Sequence, residues 1–555
     1  MTFSSLKRKE TLSAMANKKL DLLVIGGGIT GAGVALDAKV RGLDIGLVEM
    51  NDFASGTSSR STKLVHGGLR YLKQFEVKLV AEVGKERAIV YENAPHVTKP
   101  EWMLLPMYEG GTFGPFTTSI GLKVYDFLAK VKKNERRSML NRSQTLQREP
   151  LLKKDGLKGG GYYVEYRTDD ARLTIETIKA AVAKGAHAVN YAKVDQLLYD
   201  DHGKLIGVHV TDQISQETYE IFAKKVVNAA GPWVDTIREM DKSKKGKYLH
   251  LTKGIHIVID GKRFPMKQAV YFDTTNGDKR MIFAIPREGK VYIGTTDTFY
   301  TTFPIHPRMT AEDRDYLLEA INGMFPDAKL TPEDVESSWA GVRPLIHEEG
   351  KSPSEISRKD EIFLSHSGLI TIAGGKLTGY RKMAERVVDL VGEQLEKEEG
   401  RHLPACTTDH VKLSGGEVGG SAGFPAFVEK NVQRGVALGL SQNEAKILVD
   451  RYGSNIDSLY DIIVSQEEVA STDLPLAVKA AVIYGIKEEM VVTPIDFFTR
   501  RTGATLFNIN WARQWKQPVI DFMAKLFNWS TSEKEEHTAN YERELEEACI
   551  PVDKD

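Results

Sequence analysis

Six consecutive residues, Gly26-Gly27-Gly28-Ile29-Thr30-Gly31, carry the first chemistry legible in this chain. Gly26, Gly28 and Gly31 fit the spacing G-x-G-x-x-G. The first glycine allows a tight turn, the second lets a pyrophosphate approach the backbone, and the third lets helix and strand pack closely. A helix starting there turns unpaired N–H groups and the positive end of its dipole toward phosphates. Glu49 lies 23 residues after Gly26, where a carboxylate can accept hydrogen bonds from ribose hydroxyls and would repel a 2′-phosphate, which disfavours NADP. The second segment with chemistry in it runs from Gly56 to Leu72 and holds Arg60, Lys63, His66 and Arg70 with no carboxylate. Gly67-Gly68 beside His66 and Arg70 makes a poor helix and a poor strand. A ligand-facing loop is expected there in preference to a solvated charge run.

The elements that must position these residues follow from the pattern around them. Leu20 to Ile25 reads as a strand, Ile29 to about Arg41 as a helix ended by Gly42, and Ile45 to Val48 as a second strand ending at Glu49. That is a right-handed βαβ unit, the seed of a parallel sheet. Further strands are expected at Lys225–Asn228, running into Gly231-Pro232, at Val291–Gly294, and at Leu369–Ala373, which runs into Gly374-Gly375 ahead of a helix from about Leu377 to Leu395. Thr310-Ala311-Glu312-Asp313 and Thr331-Pro332-Glu333-Asp334 read as helix starts, the second with Pro at the first helical position. Beyond about residue 400 helical patterns dominate, opened by the capping-box sequence Ser441-Gln442-Asn443-Glu444. The tail from Thr531 to Asp555, with nine acidic and three basic residues, reads as a solvated helix or a frayed end. FAD is favoured over NAD because three distant segments, at Gly26, at Asn228 to Pro232 and at Gly374-Gly375-Lys376, converge on one ligand, as a flavin held along its whole length requires.

Composition narrows the classes. The 555 residues carry 75 Lys and Arg against 76 Asp and Glu, a formal charge of −1, and a dedicated nucleic-acid binder would show a basic excess. At this length about three domains are expected. Two distant cysteines, Cys406 and Cys549, exclude a disulfide scaffold, a CxxC pair and a cysteine zinc site, and they fit a reducing cytosol. No metal site is expected. No run of 18 apolar residues occurs, and the first twenty residues lack the apolar stretch of a signal peptide. Between Ser119 and Arg137, Ile120, Val124, Phe127, Leu128 and Val131 share a helical face, while six basic residues face Asp126 and Glu135. This pattern suits an interfacial helix on anionic lipid and equally an amphipathic helix packed on the core.

The Gly56 to Leu72 segment resembles the signature of the FAD-dependent glycerol-3-phosphate dehydrogenases of the respiratory type. The resemblance extends through Asp169 to Leu173, Asn228 to Trp233, Lys253 to Val258, Ile293 to Asp297, Gly341 to Leu345 and Gly374 to Arg381, and so covers about residues 20–400. Two departures are Ile255, where a smaller residue such as Ser is expected, and Gly379 in place of Thr. The resemblance implies oxidation of sn-glycerol 3-phosphate at C2 to dihydroxyacetone phosphate, hydride transfer to FAD, and onward passage of electrons to a quinone. An oxidase passing electrons to O2, and an amine or amino-acid oxidase of the same fold, are the rival readings. The expected fold is α/β: a Rossmann-like FAD-binding domain over 20–98, 160–240 and 336–400, an interleaved α+β substrate-cap domain over 99–159 and 241–335, and a C-terminal helical domain over 401–555.

Residue types then suggest roles. A phosphate dianion needs cations, and arginine offers a planar, permanently charged fork. Arg70, Arg343 and Lys376 are the expected substrate anchors, with Tyr71 and Thr296 beside them. Lys376 and the helix start behind it also suit the negative charge of a reduced flavin ring. A base must accept the C2 hydroxyl proton, and His256 and His66 are the candidates, which makes His256, His66, Arg343 and Lys376 the expected catalytic set. The expected cofactor contacts are Gly26, Gly28, Gly31, Glu49, Thr57, Ser58, Ser59, Val194, Gly231, Gly375, Lys376, Leu377 and Thr378. Asp169, Asp170 and Arg172 are expected to pin the chain between domains. The location implied is cytoplasmic, with peripheral contact at the inner face of the membrane as an open partner alongside a homodimer.

Overall fold

The computed structural model describes residues 3–66, 77–111, 114, 136–278, 280–348, 359–465 and 473–553. Two sheets organise the first four hundred residues. In the first, the strands order as Glu361–Leu364, Ile370–Ala373, Thr218–Asn228, Leu20–Ile25, Ile45–Val48 and His187–Val189. The four central and outer pairings from Ile370–Ala373 to His187–Val189 are parallel. Every residue of Leu20–Ile25 is buried, because helices cover a parallel sheet on both faces and the strand reads as a continuous apolar run. The helix Ile29–Val40 packs on the helices Asp170–Ala183 and Tyr380–Glu399. Gly33 permits the second contact, since a Cβ there would lie 2.9 Å from the Tyr380 ring.

The second sheet has ten strands. Its long seam pairs Lys247–Asp260 with Val335–Glu348, antiparallel, setting Thr252 across from Arg343 and His256 across from Trp339. On its other side Lys247–Asp260 pairs with Lys290–Gly294, setting His256 across from Gly294 as well. The expected domain limits cut through this sheet. Leu157–Thr168 pairs with Thr98–Tyr108, and Val335–Glu348 lies on the long seam, so 160–168 and 336–348 belong to the second sheet rather than to the cofactor unit. Strand runs in sequence do not reveal which sheet a strand joins, since partner choice is long-range.

Helices dominate after Glu399. The capping box at Ser441 and Glu444 forms as expected and opens the helix Gln442–Tyr452. The cap at Thr310 likewise opens a helix, Ala311–Met324. The cap at Thr331 opens only the three-residue turn Pro332–Asp334, because the chain then enters the strand that carries Trp339 and Arg343. The acidic tail is no frayed end. It forms the helix Thr531–Cys549, which buries Tyr541, Leu545 and Ala548.

Charged side chains weld these parts together. Asp170 accepts from Ser61 Oγ at 2.7 Å and from Lys63 Nζ at 2.7 Å. Arg172 bonds Glu176 on its own helix and reaches Glu489 of the C-terminal part at 2.7 Å. All of these ions are buried, where removing one partner of a pair costs about 3–5 kcal/mol.

Candidate active site

The glycine turn is sterically obligatory. Gly26 has φ of +112°, and a Cβ on it would lie 2.5 Å from the Ala229 carbonyl oxygen. A Cβ on Gly31 would strike the Gly26 carbonyl oxygen, so Gly31 serves packing and does not line the cleft. The helix begins at Ile29, whose N–H donates to Ser58 Oγ at 2.9 Å. Glu49 accepts from Gly27 N at 2.7 Å and Asn51 N at 2.8 Å, and burial pushes its carboxyl up.

A cleft of about 240 Å³ lies against this turn. Of the expected cofactor contacts, Gly26, Gly28, Glu49, Thr57, Ser58, Val194, Gly231, Gly375, Lys376 and Leu377 line it. Ser59 does not. It is buried, and its carbonyl accepts from Lys63 Nζ at 2.8 Å. Thr378 faces the neighbouring cavity, where its hydroxyl accepts from His66 N at 3.2 Å. The cleft suits a dinucleotide. Gly26 and Gly28 line it with no Cβ in the way, a helix N-terminus enters it, and Glu49 and Lys376 both reach it.

The second cavity, of about 370 Å³, is lined by His66, His256, Thr296, Arg343 and Lys376. It shares Thr57, Ser61, Pro344, Gly375, Lys376 and Leu377 with the first. Arg70, Tyr71 and residues 119–135 lie outside the described residues. Arg343 is held by the turn after Gly294. It donates to Asp297 Oδ1 at 3.1 Å, to Thr295 Oγ1 at 3.0 Å and to the Thr296 carbonyl. His256 stacks on Trp339 with ring centroids 4.6 Å apart and planes 8° apart, and its Nε2 pairs with Thr62 Oγ1 at 3.0 Å. Burial, and then the cations Arg343 and Lys63, hold His256 well below the usual imidazole range. Burial and then Lys376 and Arg87 bring His66 down to about 4.

Sequence reading missed several members of this wall. Trp339 orients His256 from across the strand pair. Glu165 lines the cavity and pairs with Arg87 at 3.1 Å. The stacked rings of Tyr271 and Phe283 complete it. None has a local sequence signal, because each acts through a long-range contact. Gly254 does have one, standing inside the quoted Lys253 to Val258 stretch. A Cβ on it would run into the Arg343 guanidinium.

Comparison with known proteins extends these observations. The family model for FAD dependent oxidoreductases matches residues 21–416, and that for the C-terminal domain of alpha-glycerophosphate oxidase matches residues 406–534. The aerobic glycerol-3-phosphate dehydrogenase of Bacillus subtilis (strain 168) is 62% identical over 552 residues, covering 99% of each chain. That of Staphylococcus haemolyticus (strain JCSC1435) is 58% identical over 549 residues, covering 99% of this chain and 98% of the relative. The crystal structure of the glycerol-3-phosphate dehydrogenase from Bacillus halodurans complexed with FAD aligns over 99% of both chains, with a TM-score of 0.86 and 54% identity. A likeness in fold alone reaches the FAD-bound L-alpha-glycerophosphate oxidase of Mycoplasma pneumoniae, with a TM-score of 0.55 and 17% identity over 70% of this chain and 97% of that one. Motif, paired cavities and near-full-length relatives agree, and the chain belongs to the family of aerobic, FAD-dependent glycerol-3-phosphate dehydrogenases.

Proposed function

We propose that this protein oxidises sn-glycerol 3-phosphate at C2 to dihydroxyacetone phosphate and passes the electron pair to a quinone. One observation carries the reading: two histidines, three arginines and a lysine line a cavity that shares six residues with the dinucleotide cleft. Bound FAD supplies the acceptor for the hydride from C2.

The protein's own residues account for the rest. Arg343 is the phosphate anchor, its fork pre-oriented by Asp297 and Thr295, and a guanidinium suits phosphate oxygens better than a point charge. Lys376 adds a cation on the wall common to both cavities. Arg70 and Tyr71 stay assigned to the substrate from the sequence. His256 is the proposed base. Its depressed pKa keeps the imidazole neutral near pH 7 and able to take the C2 hydroxyl proton. Arg343 is one of the two cations that disfavour its protonated form. A phosphate dianion on Arg343 offsets that charge, so His256 becomes a stronger base when substrate is in place. His66 lines the same cavity, with Lys376 and Arg87 as its cationic neighbours, and is the alternative base.

A quinone resides in the bilayer. No helix among the described residues is long and apolar enough to cross a membrane, so the acceptor is proposed to be reached from the surface. An oxidase is the second reading, supported by the name of the family model over 406–534. Anaerobic titration of the holoprotein with glycerol 3-phosphate is expected to bleach the flavin band, and a quinone analogue is expected to restore it. Failure to bleach sinks the proposed substrate, and stoichiometric peroxide in air favours the oxidase.

A further inference from the structure

The C-terminal part grips the loop that packs against the dinucleotide turn. Asp52 follows Glu49 by three residues and is fully buried. Its Oδ1 accepts from Arg501 Nη2 and from Asn190 Nδ2, each at 2.9 Å, and its Oδ2 accepts from Arg501 Nη1 at 2.7 Å and from Arg500 Nε. The two guanidiniums hold the Asp52 carboxyl at about 2 in spite of its burial. Arg500 and Arg501 end a π-helical turn, Asp496–Arg501, an expansion that recurs at functional sites. Asp496 fixes this turn, accepting from Val492 N, Thr493 N and Arg500 Nη2.

Asp52 leads directly to the glycines. Phe53 is buried against Phe3, with ring centroids 5.5 Å apart, and its ring occupies the space a Cβ on Gly27 would need. Ala54 N donates to the Gly27 carbonyl at 3.0 Å, and Ala54 adopts φ of +61°. An alanine persists in that left-handed region only where its surroundings over-determine it. Four residues on, Ser58 caps the helix at Ile29. A few residues past Arg501, Phe507 packs on Trp339 with centroids 5.4 Å apart, behind the His256 ring. One stretch of the C-terminal part therefore touches the supports of both cavities.

We propose that Arg500 and Arg501 are positioning residues for the dinucleotide-binding turn, acting through Asp52, so that the helical C-terminal part sets the affinity for FAD. Without the pair, Asp52 is a buried charge short of partners, and the loop holding Phe53, Ala54 and Ser58 loses the anchor that fixes its register against Gly27. The device is separable from general stability. Arg172, at the same interface, bonds Glu176 and shares Glu489 with Arg501, and it makes no hydrogen bond to Asp52, whose partners are Asn190, Arg500 and Arg501.

The test uses the full chain stripped of FAD, titrated with FAD by fluorescence quenching, with melting followed in parallel. Three variants are compared: the charge-neutral double D52N/R501Q, the charge-preserving R501K, and R172Q as the interface control. The dissociation constant for FAD is expected to rise about tenfold or more in D52N/R501Q and by less in R501K, while R172Q lowers the melting temperature with a constant within about twofold of the parent. The proposal is overturned if D52N/R501Q binds FAD within about twofold of the parent, or if R172Q weakens FAD equally at matched loss of melting temperature. Should the double variant fail to fold, R501K decides by the same criterion.

Discussion

The two adjoining cavities are built on different plans. At its glycine turn the dinucleotide cleft is built from backbone: Gly26, Gly28 and a helix start line it, and Glu49 is engaged by main-chain N–H groups. The substrate cavity is mostly side chain: Arg343 and His256 come from paired strands, His66 from the end of a short strand, and Lys376 from the far end of the other sheet. A backbone-built site is robust to the loss of a side chain and fragile to an added one. A site built from convergent side chains is fragile to the loss of one of them. This contrast orders the effects of substitution.

The largest effect is expected at the proposed base. His256→Gln should slow flavin reduction by substrate in anaerobic stopped flow by about 10²–10⁴, with flavin content unchanged. A near-native rate removes His256 from the mechanism. Next, Arg343→Met should lower kcat/KM by about 10²–10³, with Arg343→Lys recovering part of the loss. Equal kinetics in both variants would place the phosphate elsewhere. On the cleft side, Gly26→Ala adds a Cβ at positive φ against Ala229 and should cost about 1–3 kcal/mol. It should be read as flavin lost on purification, and a fully loaded variant would deny the cleft its backbone character.

Acidification probes the buried imidazoles in the same way. His66 is held at about 4 and His96 at about 3, in both cases first by burial. The unfolded chain takes up protons below pH 6.5 that the folded chain refuses, so the stability these residues contribute is complete above pH 6.5 and declines as pH falls toward 4. The slope is about 1.4 kcal/mol per pH unit for each proton refused. Urea unfolding between pH 7 and pH 5 should show it, and His96→Gln should make it shallower. An unchanged slope would mean His96 is protonated in the fold. The smallest effect is expected at Ser58→Ala, which removes only the cap at Ile29. A cost of about 0.5–2 kcal/mol in melting and retention of bound flavin are expected, and loss of flavin as complete as in Gly26→Ala would erase the contrast.

The same division explains what could be read from the amino-acid order. The turn at Gly26, the carboxylate at Glu49 and the helix behind Lys376 lie within short windows, and hydrophobic period and glycine spacing suffice to find them. Arg343 was accessible only through family resemblance, since nothing local marks an arginine on a strand as a ligand. The Asp52–Arg501 pair, 449 positions apart, and the stacking of His256 on Trp339 had no signal at all, because each depends on how two distant segments meet. Ser59 reads like its neighbours Thr57 and Ser58, yet the chain turns it inward toward Lys63.

Two glycines beneath His256 and Arg343 carry a consequence for redesign. A Cβ on Gly294 would enter the His256 ring, and one on Gly254 would lie 2.5 Å from Thr295 Oγ1 and meet the Arg343 guanidinium. The cationic half of the cavity therefore has no slack, and its shape is closed to even a methyl group. Any attempt to admit a bulkier polyol phosphate has to proceed by trimming the aromatic part of the lining, at Tyr163, Tyr271 and Phe283, where bulk can be exchanged for volume while the charged groups are kept.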